Sequence, residues 1–143
     1  MEPVVVDVKH RVQYYETDKM GYVHNSNYFR FFEIGRTEFM RTYGVEYSAM
    51  EKEGVMMPLI EQHARYHTPA LYDEIITIRT IVEKMPMSRI HFEYRILKTD
   101  DNGKEILVCE GWNELCFIDE KTRKPLRCPL WVQEKLEKVL PVK

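Results

Sequence analysis

The length, composition and charge of the chain exclude several classes of protein. It has 143 residues, of which 44% are hydrophobic and 31% charged, and its net charge is -2. This composition is typical of a globular protein, so residues 1–143 are predicted to form a single domain. The charge gives no electrostatic reason to expect nucleic acid as a partner. No apolar run approaches the roughly 20 residues that cross a bilayer, which predicts a soluble, cytoplasmic protein that does not enter membranes.

The cysteines predict free thiols rather than a disulfide framework. There are three, an odd number. Cys109 and Cys116 fall within one predicted strand and would lie about 23 Å apart if that strand is extended, too far to pair. We therefore expect a reducing compartment, with all three thiols acting as buried apolar side chains.

The first elements in chain order are a strand and a long helix. Alternating residues over Val4–Tyr15 predict a half-buried strand whose inward side includes Tyr14. After a polar turn that contains Gly21, aromatic residues recur at helical spacing over Asn27–Tyr43. Apolar side chains occupy more than one face of this helix, which predicts that protein surrounds most of it. Gly44 is well suited to end the helix.

Strands dominate the rest of the chain. A short helix over Tyr47–Glu53 precedes an extended stretch over Met57–His67. Three further segments are separated by turn signals and predict an antiparallel meander: Ile75–Lys84, Ser88–Lys98 and Glu105–Ile118. A terminal helix is predicted over Trp131–Leu140.

The order of these elements indicates the fold class. Strands and helices do not alternate, so the pattern is not a doubly wound α/β fold. It favours an α+β fold in which a mostly antiparallel five-stranded sheet wraps around one long central helix. Such a sheet leaves edges and an outer face that one small chain cannot cover. We therefore expect a homo-oligomer.

Several common kinds of site are absent from the sequence. No two of the 6 glycines stand two apart, which excludes the usual glycine-rich phosphate loops. No serine lies in a Gly-x-Ser-x-Gly motif, which excludes the nucleophile elbow. On an extended strand His63 and His67 would lie about 13 Å apart, too far to share one ion. No metal and no other cofactor is therefore predicted.

One segment, Tyr14–Tyr28, combines residues that suit acyl chemistry. Asp18 precedes a glycine-containing turn that leads into the long helix. Free N–H groups in the first turn of a helix can stabilise negative charge that develops on a carbonyl oxygen. A nearby carboxylate can activate water or attack the carbonyl carbon. On local grounds a second interpretation is favoured: Asp18 forms an Asx-turn, and Ser26 or Asn27 caps the helix, with no catalytic role.

A longer pattern of residues surrounds this segment. It comprises Tyr15–Val23, Asn25–Tyr28 and Phe32–Glu38, with a weaker second part at Ala64–Tyr66, Pro69–Ala70 and Tyr72–Glu74. The pattern resembles the hydroxybenzoyl-CoA thioesterase family of hotdog-fold proteins. The resemblance implies one hotdog domain that hydrolyses an acyl-coenzyme A thioester to a free acid and coenzyme A. It also implies dimers or tetramers whose active sites lie between subunits.

The resemblance also implies roles for individual residues. Asp18 would be the catalytic carboxylate, acting as nucleophile or general base. The backbone N–H near Asn25 would polarise the thioester carbonyl. His24 would orient substrate or water, although a polar loop residue without a catalytic role fits as well. Glu33 could face the site, but a buried or interface carboxylate is the favoured interpretation.

The substrate should be held at both of its ends. The phosphates of coenzyme A need basic partners, and the residues from Arg79 to Lys98 include five basic and two acidic side chains. Lys84, Ser88 and Arg89 are the candidates, although basic residues that protect a strand edge would give the same pattern.

The acyl group needs an apolar pocket between the long helix and the sheet. The candidate walls are Tyr22, Tyr28, Phe32 and Met57, although an ordinary core position is the favoured interpretation for each aromatic residue. Two other functions remain open at this point. One is a hotdog-fold hydratase or dehydratase acting on enoyl thioesters, and the other is a non-catalytic module that binds acyl-coenzyme A.

Overall fold

The computed structural model describes residues 3–140, which form an antiparallel sheet packed against one long helix. The strands are β1 (Val4–Arg11), β2 (Val55–Met56), β3 (Leu59–Tyr66), β4 (Ile75–Val82), β5 (Arg89–Thr99), β6 (Glu105–Asp119) and β7 (Pro125–Leu126). The helices are α1 (Ser26–Thr42), α2 (Tyr47–Lys52) and α3 (Leu130–Glu137). The α+β class is confirmed. The five predicted strands are the five long ones, and the sequence did not predict the separate two-residue strands β2 and β7.

The sheet has the predicted meander at its centre. Its strands follow the order β1-β4-β5-β6, and β2 and β3 lie along the side of β6 that faces away from β5. Every pair is antiparallel. Within residues 3–140, β1 and β3 therefore each have one long strand as a neighbour and leave one edge open.

Aromatic side chains of α1 fill the space between the helix and the sheet. Phe31, Phe32 and Phe39 are fully buried, and the ring of Phe32 stacks on Tyr94 of β5 at 4.4 Å. Burying one such side chain stabilises the fold by about 1.5–3 kcal/mol. The close approach depends on Gly111 of β6, because a Cβ there would lie 2.8 Å from the ring of Phe32.

The first strand ends earlier than the sequence predicts. β1 stops at Arg11, and Tyr14, expected on the inward side, is 77% exposed. The chain turns away because Gln13 and Glu16 form a reciprocal cap: Gln13 N–H donates to Glu16 Oε1 at 2.7 Å, and Glu16 N–H donates to Gln13 O at 3.0 Å. This local hydrogen bonding outweighs the alternation of apolar residues.

The predicted end of the long helix is confirmed. Gly44 follows α1 with φ of +80°, a conformation that favours glycine. Within the part of the chain that the structure describes, no helix combines the length and the apolar character needed to cross a bilayer.

Candidate active site

Hydrogen bonds to Glu16 fix the loop between β1 and α1. The main-chain oxygen of Glu16 accepts from His24 N–H and from Asn27 Nδ2, each at 2.8 Å. Its buried carboxylate accepts from Gln13 N–H at 2.7 Å and lies 3.0 Å from His10 Nε2. Both ends of the loop are therefore anchored to buried groups.

Asp18 forms the Asx-turn that the second interpretation predicted. Its Oδ1 accepts from the N–H groups of Met20 at 2.8 Å and Tyr22 at 3.3 Å. Gly21 N–H donates to Asp18 O at 3.0 Å, and Gly21 has φ of +81°. No hydrogen bond reaches Asp18 Oδ2 from residues 3–140. One carboxylate oxygen is thus fixed, and the other remains available to a substrate or water.

The first turn of α1 offers a free backbone donor. The helix begins at Ser26, and Asn25 precedes it in helical conformation without a side-chain cap. The proposed caps are wrong, because Ser26 and Asn27 lie inside the helix and Asn27 bonds to Glu16 instead. No main-chain or side-chain acceptor among the described residues is bonded to Asn25 N–H.

His24 has one ring nitrogen engaged and one available. Ser26 N–H donates to His24 Nδ1 at 3.2 Å, and Ser26 Oγ lies 2.9 Å from the same atom. Since a backbone N–H can only donate, Nδ1 acts as an acceptor in this geometry. The proton of the neutral imidazole is then on Nε2, which can donate to a ligand.

Five predicted site residues line one groove of about 400 Å³: Asp18, Tyr22, His24, Asn25 and Tyr28. Tyr28 is only 4% exposed, and its ring packs edge-on against Phe31 at 5.6 Å. Burial raises the pKa of the Tyr28 phenol to about 12. The tyrosine is therefore a neutral, mostly apolar part of the groove at physiological pH.

The groove also contains residues that the sequence analysis did not single out as site residues. They follow β3 or end it: Tyr66, His67, Thr68 and Pro69. The ring of Tyr66 lies 5.4 Å from that of Tyr28, which connects β3 to α1 at this point. Two of these residues, Tyr66 and Pro69, belong to the weaker part of the sequence pattern and could have been found from it.

The remaining predicted residues do not share this groove. Met57 lines a second cavity of about 510 Å³. Lys84, Ser88 and Arg89 line a third of about 570 Å³, beyond the far end of β4. The Asp18 loop bonds to the chain just before β4, through the pair Tyr22 and Leu71, so the length of the strand, about 23 Å, separates it from the third cavity.

The structure narrows the roles of two residues on the helix. Phe32 is fully buried against Tyr94 and belongs to the core rather than to a pocket wall. The side chain of Glu33 is 71% exposed, so it is not a buried carboxylate, and the expected role at an interface stays a prediction. The two residues are adjacent on α1, and the helical rotation between them turns one toward the sheet and the other toward solvent.

The third cavity is not a simple basic cluster. Glu83, Glu93 and Glu114 line it together with the predicted residues, and Arg89 Nη1 lies 3.5 Å from Glu114 Oε1. Edge protection does not explain its basic residues, because β4 and β5 are both paired on two sides.

Comparison with known proteins identifies the family. A model of the thioesterase-like superfamily matches residues 12–136. The chain belongs to this superfamily. It is 31% identical over 122 residues to an acyl-CoA thioester hydrolase, YbgC, of Escherichia coli O6:H1, covering 83% of this chain and 86% of that protein. The predicted thioesterase relationship is thus confirmed.

Solved structures of thioesterases have the same fold as this superfamily member. DHNA-CoA thioesterase from Staphylococcus aureus is 33% identical with a TM-score of 0.79, and the match covers 97% of this chain and 91% of that one. The 4-hydroxybenzoyl CoA thioesterase from Pseudomonas sp. strain CBS-3 is only 18% identical, but its TM-score is 0.81 over 92% of this chain and 98% of that one. The predicted hotdog arrangement is confirmed.

The geometry makes the Asp18 groove the candidate active site of this thioesterase-like protein. It combines a carboxylate oxygen and a backbone N–H that have no hydrogen-bond partner within residues 3–140. Among those same residues, no group of three or more His, Cys, Asp and Glu side chains could hold a metal ion.

Proposed function

We propose that this chain hydrolyses acyl-coenzyme A thioesters to a free acid and coenzyme A in the Asp18 groove. Thioester hydrolysis as the class of reaction follows from membership of the thioesterase-like superfamily. One observation carries the assignment of the site: Asp18 and Asn25 line the same groove, and Asp18 Oδ2 and Asn25 N–H have no hydrogen-bond partners in residues 3–140. Thioester hydrolysis needs a group that activates or replaces the nucleophile and a donor for the carbonyl oxygen.

Two routes are compatible with these groups. As a general base, Asp18 Oδ2 takes a proton from water while the water oxygen bonds to the carbonyl carbon. As a nucleophile, Oδ2 bonds to that carbon itself, and water later hydrolyses the resulting anhydride. In both routes the C–S bond breaks, the thiolate leaves and takes up a proton, and Asn25 N–H donates to the carbonyl oxygen as it gains charge.

The hydrogen bonds around Asp18 assign its two oxygens different roles. Oδ1 is held by two main-chain N–H groups, so Oδ2 is the reactive atom. We assign His24 a role in positioning, because its Nδ1 is bonded to Ser26 and only Nε2–H can reach a substrate or water. In both routes His24 thus donates a hydrogen bond and does not act as the base.

The active site is proposed to require a second copy of the chain. The open edge of β3 carries backbone groups that can pair with another strand. Antiparallel pairing of two β3 strands about a two-fold axis would place Tyr66, in the Asp18 groove of one copy, near Leu59 of the other. The cavity that holds Met57 would then adjoin the groove and supply a wall of the acyl pocket.

Lys84, Ser88 and Arg89 are proposed to contact the nucleotide end of coenzyme A. Because acidic residues line the same cavity, the contribution of each basic side chain should be modest and sensitive to salt. We expect K84E together with R89E to raise KM several-fold with little change in kcat. An equal effect of the pair K121E and R123E, on the exposed turn after β6, would show that only net charge matters.

Thiol release from a panel of acyl-coenzyme A substrates tests the proposal. We expect Asp18→Asn to lower turnover by orders of magnitude with little change in Tm. Asp100→Asn is the matched control, because Asp100 Oδ1 also accepts two main-chain N–H groups, both at 2.9 Å, in an exposed turn. Equal activity of parent and Asp18→Asn would remove Asp18 from the mechanism. Binding without thiol release would favour an acyl-coenzyme A sensor, and hydration of an enoyl thioester would favour a hydratase.

The assembly and the compartment are part of the same proposal. Light scattering should give a mass at least twice the 17.2 kDa of one chain. A fully active protein that remains monomeric during turnover would contradict the shared site. We place the protein in the cytoplasm, since Cys109, Cys116 and Cys128 are all free thiols and would persist in a reducing compartment.

A further inference from the structure

A buried cation lies on α1, away from the Asp18 groove. Arg36 is only 9% exposed, and its guanidinium is charged at any physiological pH. Its Nε donates to the hydroxyl of Tyr47 at 3.1 Å. Glu33 Oε1 lies 3.9 Å from Nη2, which is too long for a hydrogen bond, and that carboxylate is largely in solvent. Within residues 3–140 the only carboxylate paired with Arg36 is thus Glu33, and that pairing is long and exposed to solvent.

Two tyrosine hydroxyls, those of Tyr47 and Tyr94, adjoin the Arg36 guanidinium. The Tyr94 phenol adjoins the guanidinium and donates its own proton to Asn113 Oδ1 at 2.9 Å. Asn113 is completely buried, and its Nδ2 has no hydrogen-bond partner among the described residues. The oxygens of Tyr47 and Asn113 already accept a proton. Thr80 Oγ1, on the residue paired with Tyr94 in the sheet, is also buried without a partner among the described residues. The guanidinium of Arg36 still has more N–H groups than the neighbouring tyrosine oxygens accept, and an anion would accept from the rest.

A cavity opens beside this cluster. Its volume is about 510 Å³, and its inner walls include Arg36, Tyr47, Met50, Met57 and Leu115. Volumes of roughly 300–1,000 Å³ are usual for sites that bind small molecules. Methionine side chains adapt readily to apolar chains of different shape. The cavity therefore combines one buried positive group with an adaptable apolar wall.

We propose that this cavity binds a carboxylate attached to an apolar chain, with the carboxylate on Arg36 and the chain against the methionines. A single guanidinium matches a singly charged, planar carboxylate. A phosphate dianion fits less well, because the exposed carboxylates of Glu51 and Glu120 also line the cavity. The ligand can come from two sources: a free fatty or aryl acid, or the distal carboxylate of a longer acyl group.

Calorimetric titration with decanoate and with decanol tests the site. The two probes share a chain length but differ in charge. We expect the parent protein to bind decanoate at least about tenfold more tightly than decanol, because the carboxylate accepts a charge-assisted hydrogen bond. Arg36→Met keeps the apolar stem and should abolish this preference. Asp100→Asn should bind decanoate as the parent does, because Asp100 lines none of the three cavities.

Several results would overturn the site. One is equal affinity of the parent for decanoate and decanol. Another is decanoate affinity that is unchanged in Arg36→Met but raised in Asp18→Asn, because that pattern would place the carboxylate beside Asp18 and not on Arg36. If Arg36→Met does not fold, Tyr47→Phe replaces it, since that change removes only the oxygen that holds Nε. We expect about threefold weaker decanoate binding there with decanol unaffected, and no change would also overturn the proposal.

A second arm identifies the source of the carboxylate, and it rests on the proposed function. Thiol release is compared for an acyl-coenzyme A and its ω-carboxyl counterpart of equal chain length. A preference for the ω-carboxyl substrate that disappears in Arg36→Met would identify the acyl group as the source. Decanoate binding without that preference would identify a free acid. Absence of thiol release from every substrate would contradict the proposed function but not the carboxylate site, because the titrations use no thioester.

Discussion

Two turns in this molecule have nearly the same local structure. Asp18 and Asp100 each accept, through Oδ1, the N–H groups two and four residues later, at 2.8 and 3.3 Å in one turn and at 2.9 and 2.9 Å in the other. Each has a glycine three residues on, Gly21 and Gly103, with φ of +81° and +82°. In each, that glycine donates its N–H to the main-chain oxygen of the aspartate at 3.0 Å.

Only the surroundings of the two turns differ. The Asp100 turn joins β5 to β6 at the surface and lines none of the cavities described above. The Asp18 turn leads into α1, and Asn25, whose N–H has no partner within residues 3–140, lines the same groove. An Asx-turn is therefore compatible with either role, because it uses Oδ1 and leaves Oδ2 to whatever surrounds it.

The largest effect should come from removing the backbone donor beside the Asp18 turn. Asn25 has φ of -55°, which proline can adopt, and its N–H has no acceptor in residues 3–140. We expect Asn25→Pro to lower kcat about 100- to 1,000-fold with Tm close to that of the parent. Steady-state kinetics and thermal unfolding measure the two quantities. Asn25→Ala keeps the N–H and is the matched control.

The tether between the Asp18 loop and α1 should be the next most sensitive feature. Asn27→Ala removes the hydrogen bond to Glu16 O and leaves that buried oxygen with one donor fewer. We expect a loss of about 1–3 kcal/mol in the free energy of unfolding, measured in urea, together with reduced activity. The corresponding change in the other turn, Asn102→Ala, should alter stability by less than about 0.5 kcal/mol. Equal losses would mean that the loop is not held by this contact.

A smaller effect is expected from alanine at the two turn glycines. The two variants should differ in enzyme activity but not in stability. A Cβ on Gly21 or on Gly103 would meet nothing within 4 Å, so the cost of alanine is that of the backbone conformation alone. We expect Gly21→Ala and Gly103→Ala to lower the free energy of unfolding alike, by about 1–2 kcal/mol. Only Gly21→Ala should reduce turnover, because it shifts Asp18. Loss of turnover in both variants would remove the distinction between the turns.

The smallest effect concerns Tyr28 in the Asp18 groove, which has no counterpart beside the Asp100 turn. Burial raises its pKa from 10.0 to about 12. Below pH 10 the Tyr28 phenol keeps its proton in both the folded and the unfolded chain. Its contribution to the free energy of unfolding is therefore fully present there. Between pH 10 and about 12 the unfolded chain releases it first, and stability falls as pH rises. Urea unfolding across this range should show a shallower fall in Tyr28→Phe, and an unchanged slope would contradict the assignment.

The sequence predicted those elements whose signals are local. The aromatic spacing of α1 and the turn at Asp100–Gly103 each lie within a few residues of the structure they specify. The end of β1 was predicted wrongly at Tyr15. The chain leaves the strand there because Gln13 and Glu16 cap each other and because Val12 N–H donates to Glu74 O. The second contact joins residues far apart in sequence, so a local pattern cannot predict it.

The candidate site was predictable in part for the same reason. Asp18, His24 and Asn25 are close in sequence, so their pattern was visible, and the resemblance to a known family gave it a role. Thr68 and His67 entered the groove only through the packing of Tyr66 on Tyr28, across a distance in sequence that periodicity does not report. Arginine side chains are mostly exposed in proteins, and only the tertiary structure shows that Arg36 is buried.

The sequence by itself determined the α+β class, the order of the long elements and the membership of a thioesterase-like superfamily. It did so because helix and strand periodicity and a dense motif are properties of neighbouring residues. The tertiary structure decided which of two equivalent turns lies in a groove, which oxygen of Asp18 is free and which cation is buried. Those properties depend on segments that meet only after the sheet has packed on α1, where desolvation and unpaired hydrogen-bonding groups distinguish residues that look alike in sequence.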